Sequence, residues 1–441
     1  MRSAAMPGRR SDAARRRLLT MGAAATLAPR LVGAAPAPVP ASAPTSAPVP
    51  TPAADACLDF DALWTRFVAR CVQADGRVVD HDTDARVSTS EGQAYTLFFA
   101  LVADDRARFD SVLDWTRRHL AGGDFAQQLP AWQWGRQGDG RWGVLDRNAA
   151  TDADLWLAPA LFEAERAWTA PAYGRQARAV LARIAREEVA DVPGLGPMLL
   201  PGPVGFVSED RRTWRLNPSY WPLHQLRALA SLDPKGPWEV LVQQGFLMLR
   251  AASPNGLAPD WIAWQVDRRD DAAPAGAAPT GQWIADPVHG DTGSYDAIPC
   301  YPGAGLLSPH DPPRKPLLYS LRGLQPLLRR GQPAPERVTT RAADAATRGD
   351  APPAFDAATL PYLAALADHA ALADRRARLG AALRGSRPLR YYDFVLLLFG
   401  VGALQGRWRF GRDGRLQRIP ASRPRGPATA SPSPCLTPPT R

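Results

Sequence analysis

Lysine is nearly missing from this 441-residue chain: of its 53 basic residues, only Lys235 and Lys315 are not arginine. A bias this uniform reflects codon composition, not the choice of a ligand. Histidine and cysteine are also sparse. The six histidines form no His-x-x-x-His pair, and Cys57, Cys71, Cys300 and Cys435 lack the Cys-x-x-Cys spacing of zinc and redox sites. No metal and no other cofactor is expected. Regular βαβ alternation is absent, which argues against a doubly wound parallel sheet. No fixed-period repeat is visible either, which weakens an open solenoid.

The net charge of +10 suggests nucleic acid until it is located along the chain. Seven arginines against one aspartate lie in residues 1–35, and three more arginines lie in 419–441, so the body between them is nearly neutral. Basic ends on a neutral body lack the clustered footprint that phosphate binding needs, and no nucleic-acid partner is expected.

Those ends have their own reading. Arg15-Arg16-Arg17-Leu18-Leu19, followed by an Ala/Leu stretch, reads as an export signal over 1–35, of the twin-arginine type with Sec export as the alternative. Its apolar stretch is well short of the ~20 residues that span a bilayer, so no stable membrane anchor is expected, and a periplasmic or secreted location is. Residues 36–56 hold seven prolines and read as a linker; 419–441 hold seven more and read as a disordered tail. In an oxidising compartment a Cys57–Cys435 bridge would join the two ends, but four cysteines allow three full pairings.

What the chain has in abundance is apolar and aromatic side chains: 45% hydrophobic residues, including 14 Trp. Over 57–418 they recur mostly at helical spacing, predicting about twelve helices that start near Phe60, Glu91, Phe109, Asp152, Ala172, Pro218, Trp238, Tyr295, Pro316, Ala357, Ala371 and Tyr391. Short stretches such as Val204–Val207 and Trp408–Phe410 read as hairpins or loop elements. Six helical hairpins closed into an α/α barrel fit this pattern, as does a solenoid. The irregular stretches 121–150 and 253–293 are long enough to carry a site on a rigid scaffold.

Three carboxylates stand at predicted helix starts: Glu91 in Thr-Ser-Glu-Gly-Gln-Ala-Tyr, Asp152 in Ala-Thr-Asp-Ala-Asp-Leu-Trp, and Asp296 in Ser-Tyr-Asp-Ala-Ile. Each has a structural explanation, since Ser88-x-x-Glu91 fits a capping box and the helix dipole favours acids in a first turn. If alternate helices start at one end of a barrel, the three acids meet there. Trp132, Trp134, Trp142 and Tyr220 would then offer flat faces for sugar rings.

These segments resemble the signatures of glycoside hydrolase family 8, in particular its members from cellulose-synthesis operons. The resemblance extends to Pro130–Gly135, Ala185–Val189, Asn217–Tyr220, Ala258–Trp261 and Ser294–Ile298, and spans nearly all of 57–418. It implies an (α/α)6 barrel over 57–418 and inverting hydrolysis of β-1,4-glucan, with Glu91 as general acid, Asp296 as general base and Asp152 orienting the distorted sugar and nearby water. Tyr295 joins the aromatics as a substrate contact. The implied partners are a cellulose chain and the cellulose synthase complex, and chitosan or xylan are alternative substrates. Because a helix N-terminus lowers a carboxyl pKa, an acid at Glu91 needs aromatic burial and a nearby charge such as Asp152.

One segment departs from the pattern. Pro299, Cys300, Tyr301, Pro302 and Gly303 stand where related chains continue with Arg and a helix; the prolines predict no regular helix there, and the missing Arg removes a partner for the carboxylates. Residues 267–280 read as a loop insertion. A glycan-binding protein without catalysis and a purely helical scaffold are the competing readings.

Overall fold

A computed structural model describes residues 58–267, 279–385 and 388–419. The expected export signal and linker, Cys57, Cys435, nearly all of the tail and most of the expected 267–280 insertion lie outside the described residues. Twelve α-helices are described: α1 Phe60–Cys71, α2 Ser90–Val102, α3 Arg106–His119, α4 Thr151–Trp168, α5 Pro171–Glu187, α6 Leu223–Leu232, α7 Trp238–Ala252, α8 Cys300–Leu306, α9 Arg314–Ser320, α10 Pro353–Ala365, α11 His369–Arg384 and α12 Tyr391–Leu404.

Their sequences sort them into two kinds. α2, α4, α10 and α12 are apolar nearly all round and are buried along most of their length, as a helix must be when it has no polar face to offer water. α5, by contrast, buries only one stripe, Tyr173, Gly174, Ala177, Val180, Leu181 and Ile184, under a face of arginines. Each even-numbered helix packs against the odd-numbered helix that follows it, and the even helices pack successively against one another from α2 to α12. The last even helix, α12, packs against α1. It also reaches α2, where the Phe399 ring lies 4.6 Å from Phe99 and 5.7 Å from Phe98.

Two devices hold the late helices close. A Cβ added to Gly400 of α12 would stand 2.0 Å from the Ala357 carbonyl oxygen of α10, so only glycine allows those backbones their approach. On the far side of α10, fully buried Arg375 and its neighbour Arg378, both on α11, take the two oxygens of Asp356 at 2.9 and 3.0 Å.

The expected all-α fold with short hairpins in its loops carries more strand than the two stretches singled out in the sequence. The described residues are helical in the main but also carry thirteen short strands in five antiparallel sheets: β1 Ser88–Thr89, β2 Gln133–Arg136 and β3 Trp142–Asp146; β4 Val189–Val192 and β5 Gly196–Leu199; β6 Thr213–Leu216, β7 Ile262–Val266 and β8 Gly281–Ala285; β9 Thr292–Gly293, β10 Pro335–Thr339 and β11 Thr347–Asp350; and β12 Trp408–Phe410 with β13 Leu416–Arg418. The long connections pair their own backbone because half-buried peptide groups need partners.

Three local expectations also fail. The capping box does not form: Thr89 is the N-cap of α2 and accepts from Gly92 N at 3.0 Å, while the Ser88 hydroxyl accepts from Arg77 Nε at 2.8 Å. No helix starts at Tyr295; residues 294–297 make a turn and α8 begins at Cys300. That helix forms despite Pro299 and Pro302, because Pro299 is its N-cap and Pro302 lies in the first turn, where an N–H has no intrahelical acceptor to lose.

Candidate active site

Glu91 occupies the second position of α2, directly after the β1 strand. β1 pairs with β2, Ser88 opposite Trp134 and Thr89 opposite Gln133, and Ser90 N donates to the Trp132 carbonyl at 3.0 Å. This pairing brings the Trp132–Trp142 segment beside the start of α2. Within it Trp132 is buried, whereas Trp142 is 47% exposed and stacks on Trp134 at 5.5 Å with the rings 17° apart. The Arg77 guanidinium lies over both rings, 4.3 and 4.6 Å from their centres.

Asp152 is the second residue of α4 and is buried. Burial pushes the phenol of Tyr95, one turn into α2, well above its ordinary range, and the negative charges of Glu91 and Asp152 add to the effect. The same phenol feels Tyr220 and Tyr391. Tyr391 opens α12, and its buried hydroxyl lies over Gly92; a Cβ there would stand 2.7 Å from that oxygen, so the residue after Glu91 is held to glycine unless the tyrosine shifts.

Asp296 lies in the turn before α8, not at a helix start, and its Oδ2 accepts from Trp261 Nε1 at 2.9 Å. The Trp261 ring stacks on Phe206 at 5.9 Å and on His289 at 5.4 Å, with the Arg215 guanidinium 5.1 Å from its centre. Arg215 and His289 are themselves held by fully buried Asp286, which takes Arg215 Nε at 2.7 Å and His289 Nδ1 at 3.0 Å. Burial opposes the Asp286 charge, but these bonds prevail and bring its carboxyl down to about 2.

Burial raises the Tyr392 phenol, with the charges of Asp296, Glu91 and Asp260 adding to the effect. The Tyr392 phenol thus feels the charges of both Glu91 and Asp296, and the Tyr95 phenol those of both Glu91 and Asp152. Each of the three acids singled out in the sequence therefore acts on at least one of these two phenols. Tyr220 joins them, its ring 6.3 Å from Trp261. Tyr295 does so only partly: its hydroxyl is spent on Glu336 Oε1 at 3.0 Å, which with burial pushes it up to about 12.

Sequence reasoning gave no role to Asp260, Trp261, Tyr391 or Tyr392. Two of them stood in the quoted Ala-Pro-Asp-Trp segment and the other two at a predicted helix start. A second carboxyl pair was also missed. Asp154 and Glu188, both fully buried, bear on each other and on Asp152, and burial pushes both well above the usual carboxylate range.

A helical scaffold that gathers carboxylates beside stacked, partly exposed indoles defines a carbohydrate-cleaving hydrolase. The chain belongs to family 8 of the glycosyl hydrolases, whose family model matches residues 49–406. It is 46% identical over 362 residues to an endoglucanase of Xanthomonas axonopodis pv. citri (strain 306), covering 82% of this chain and 89% of that protein. It is 40% identical to an endoglucanase of Pseudomonas fluorescens (strain SBW25), covering 80% and 90% of the two chains. Among solved structures, the endo-1,4-D-glucanase from Vibrio fischeri ES114 superposes with a TM-score of 0.74 at 37% identity, over 81% of this chain and 98% of that one.

Proposed function

We propose that the protein is an endo-β-1,4-glucanase that cleaves with inversion, and that its six helix pairs, α12 with α1 completing the set, close into an (α/α)6 barrel. The observation that supports the catalytic reading is that Glu91 and Asp152 both act on the Tyr95 phenol, and Glu91 and Asp296 both on that of Tyr392. The names of the relatives support the substrate class.

Inversion needs a protonated carboxyl on one side of the scissile bond and a carboxylate that activates water on the other. Glu91 donates its proton to the leaving glycosidic oxygen. Asp296, oriented by Trp261, accepts a proton from the attacking water as the new bond forms at the anomeric carbon. Asp152 orients the distorted sugar and the water between them. Trp134 and Trp142 offer stacked indole faces to a neighbouring sugar ring, and the protein supplies every group from its own side chains. Exported by the signal read in 1–35, the enzyme acts on cellulose chains as the synthase complex delivers them, and shortens them.

The test is release of reducing ends from carboxymethyl-cellulose, with chitosan and xylan in parallel. Wild type releases ends from the cellulose derivative, and Glu91→Gln loses roughly 10²–10⁴-fold of that rate while keeping its fold. A folded wild type that releases nothing from any of the three overturns the reading and leaves a glycan-binding protein.

A further inference from the structure

Asp260 lies immediately before Trp261 and is buried, 9% exposed, yet no step assigned above uses it. The hydrogen bonds of its carboxyl go to the turn that carries Asp296. Oδ1 accepts from Ser294 N at 2.7 Å and from Ala297 N at 2.9 Å, and Oδ2 accepts from the Ser294 hydroxyl at 2.6 Å. The backbone on both sides of Asp296 is thus pinned to one carboxyl group, while the neighbouring Trp261 indole pins the Asp296 side chain. Two consecutive residues fix the same aspartate, one through its main chain and one through its Oδ2.

We propose that Asp260 is a positioning residue for Asp296: its carboxyl fixes the main chain on both sides of that residue and so holds the Asp296 carboxyl where it acts. This rests on the reading of Asp296 as the general base. The groups that face Asp260 are Asp296, the Cys300 thiol and the phenols of Tyr301 and Tyr392, and Asp260 opposes the ionisation of the last three. Burial and the Asp296 charge push Asp260 up to about 7, against the pull of its three donors. Asp260 therefore gains its charge close to neutrality, and the charged carboxylate holds its three donors, and with them the turn that carries Asp296, more firmly.

The experiment is the pH dependence of kcat and KM on carboxymethyl-cellulose for wild type, Asp260→Asn, Ser294→Ala and Asp296→Asn. Wild type shows an inflection in kcat/KM near pH 7. In Asp260→Asn that inflection is absent, kcat falls about tenfold and KM stays within about twofold, since the change leaves substrate contacts alone. Ser294→Ala removes one donor to the Asp260 anion and moves the inflection to higher pH, which keeps the test open if Asp260→Asn does not fold. An inflection that survives Asp260→Asn, or one that Ser294→Ala leaves in place, overturns the proposal. Asp296→Asn tests the base itself: if it stays active the base assignment is wrong, whatever Asp260 does.

Discussion

Trp261 and Asp296, thirty-five positions apart in sequence, are joined by one hydrogen bond of 2.9 Å from the indole nitrogen to Oδ2. The indole is in turn clamped between Phe206 and His289, so the carboxylate takes its orientation from an aromatic stack and not from a helix. Trp261→Phe keeps the stacked face and loses only the donor. Its kcat falls by as much as about 10²-fold, the cost of a reacting group held slightly out of place, with little change in melting temperature. Steady-state kinetics beside a thermal melt check this; an unchanged kcat would show that the bond does not orient the base.

His224, on α6, is buried with no hydrogen bond to either ring nitrogen, packed on Phe410 at 4.4 Å and Trp156 at 5.4 Å. Burial pushes it from 6.5 down to about 3, so it is neutral in the folded protein. The unfolded chain takes up a proton there below pH 6.5 and the folded chain does not. The stability this group allows is therefore complete above 6.5 and is lost as the pH falls towards about 3. The slope is at most about 1.4 kcal/mol per pH unit. Replacing His224 with Phe removes that slope. Urea unfolding of both proteins at a series of pH values measures it, and parallel curves would count against a neutral buried imidazole.

Gly400→Ala forces α12 away from the Ala357 carbonyl and costs about 1–3 kcal/mol or more, whereas Gly303→Ala, whose Cβ meets nothing within 4 Å, is neutral or slightly stabilising. Thermal melts of the two variants give the comparison. Equal effects would mean that the close approach of α10 and α12 does not limit their packing.

The parts of this structure legible in the sequence are those written in local pattern. Phe60, Trp238 and Tyr391 begin helices as the apolar spacing predicts, and Glu91 and Asp152 stand in first turns. Pattern failed where a partner far along the chain decides. Ser88 looked like a cap, but Arg77 and the β2 strand claim it, and Thr89 caps instead. Asp296 looked like a first-turn acid because Ser-Tyr-Asp reads as a helix start; its place in a turn follows from Asp260, which no spacing rule connects to it. Pro299 and Pro302 looked like breakers because their positions relative to the first free amides of α8 depend on where that helix starts.

The pairing of α12 with α1 bears on how the chain reaches this state. Gln405, just past α12, accepts from Phe60 N at 3.0 Å and donates to the Leu58 carbonyl at 2.8 Å, clasping the two ends of the helical body together. A chain emerging in order from the ribosome holds α1 without its partner until almost everything else has been made, so this seam forms last and spans the greatest separation in sequence. It is also where the polypeptide can be reconnected most cheaply. Joining residues near 58 and 419 with a short linker and opening the chain at an exposed turn elsewhere would convert the latest contact into a local one, giving a circular permutant with the same packing and a different order of assembly.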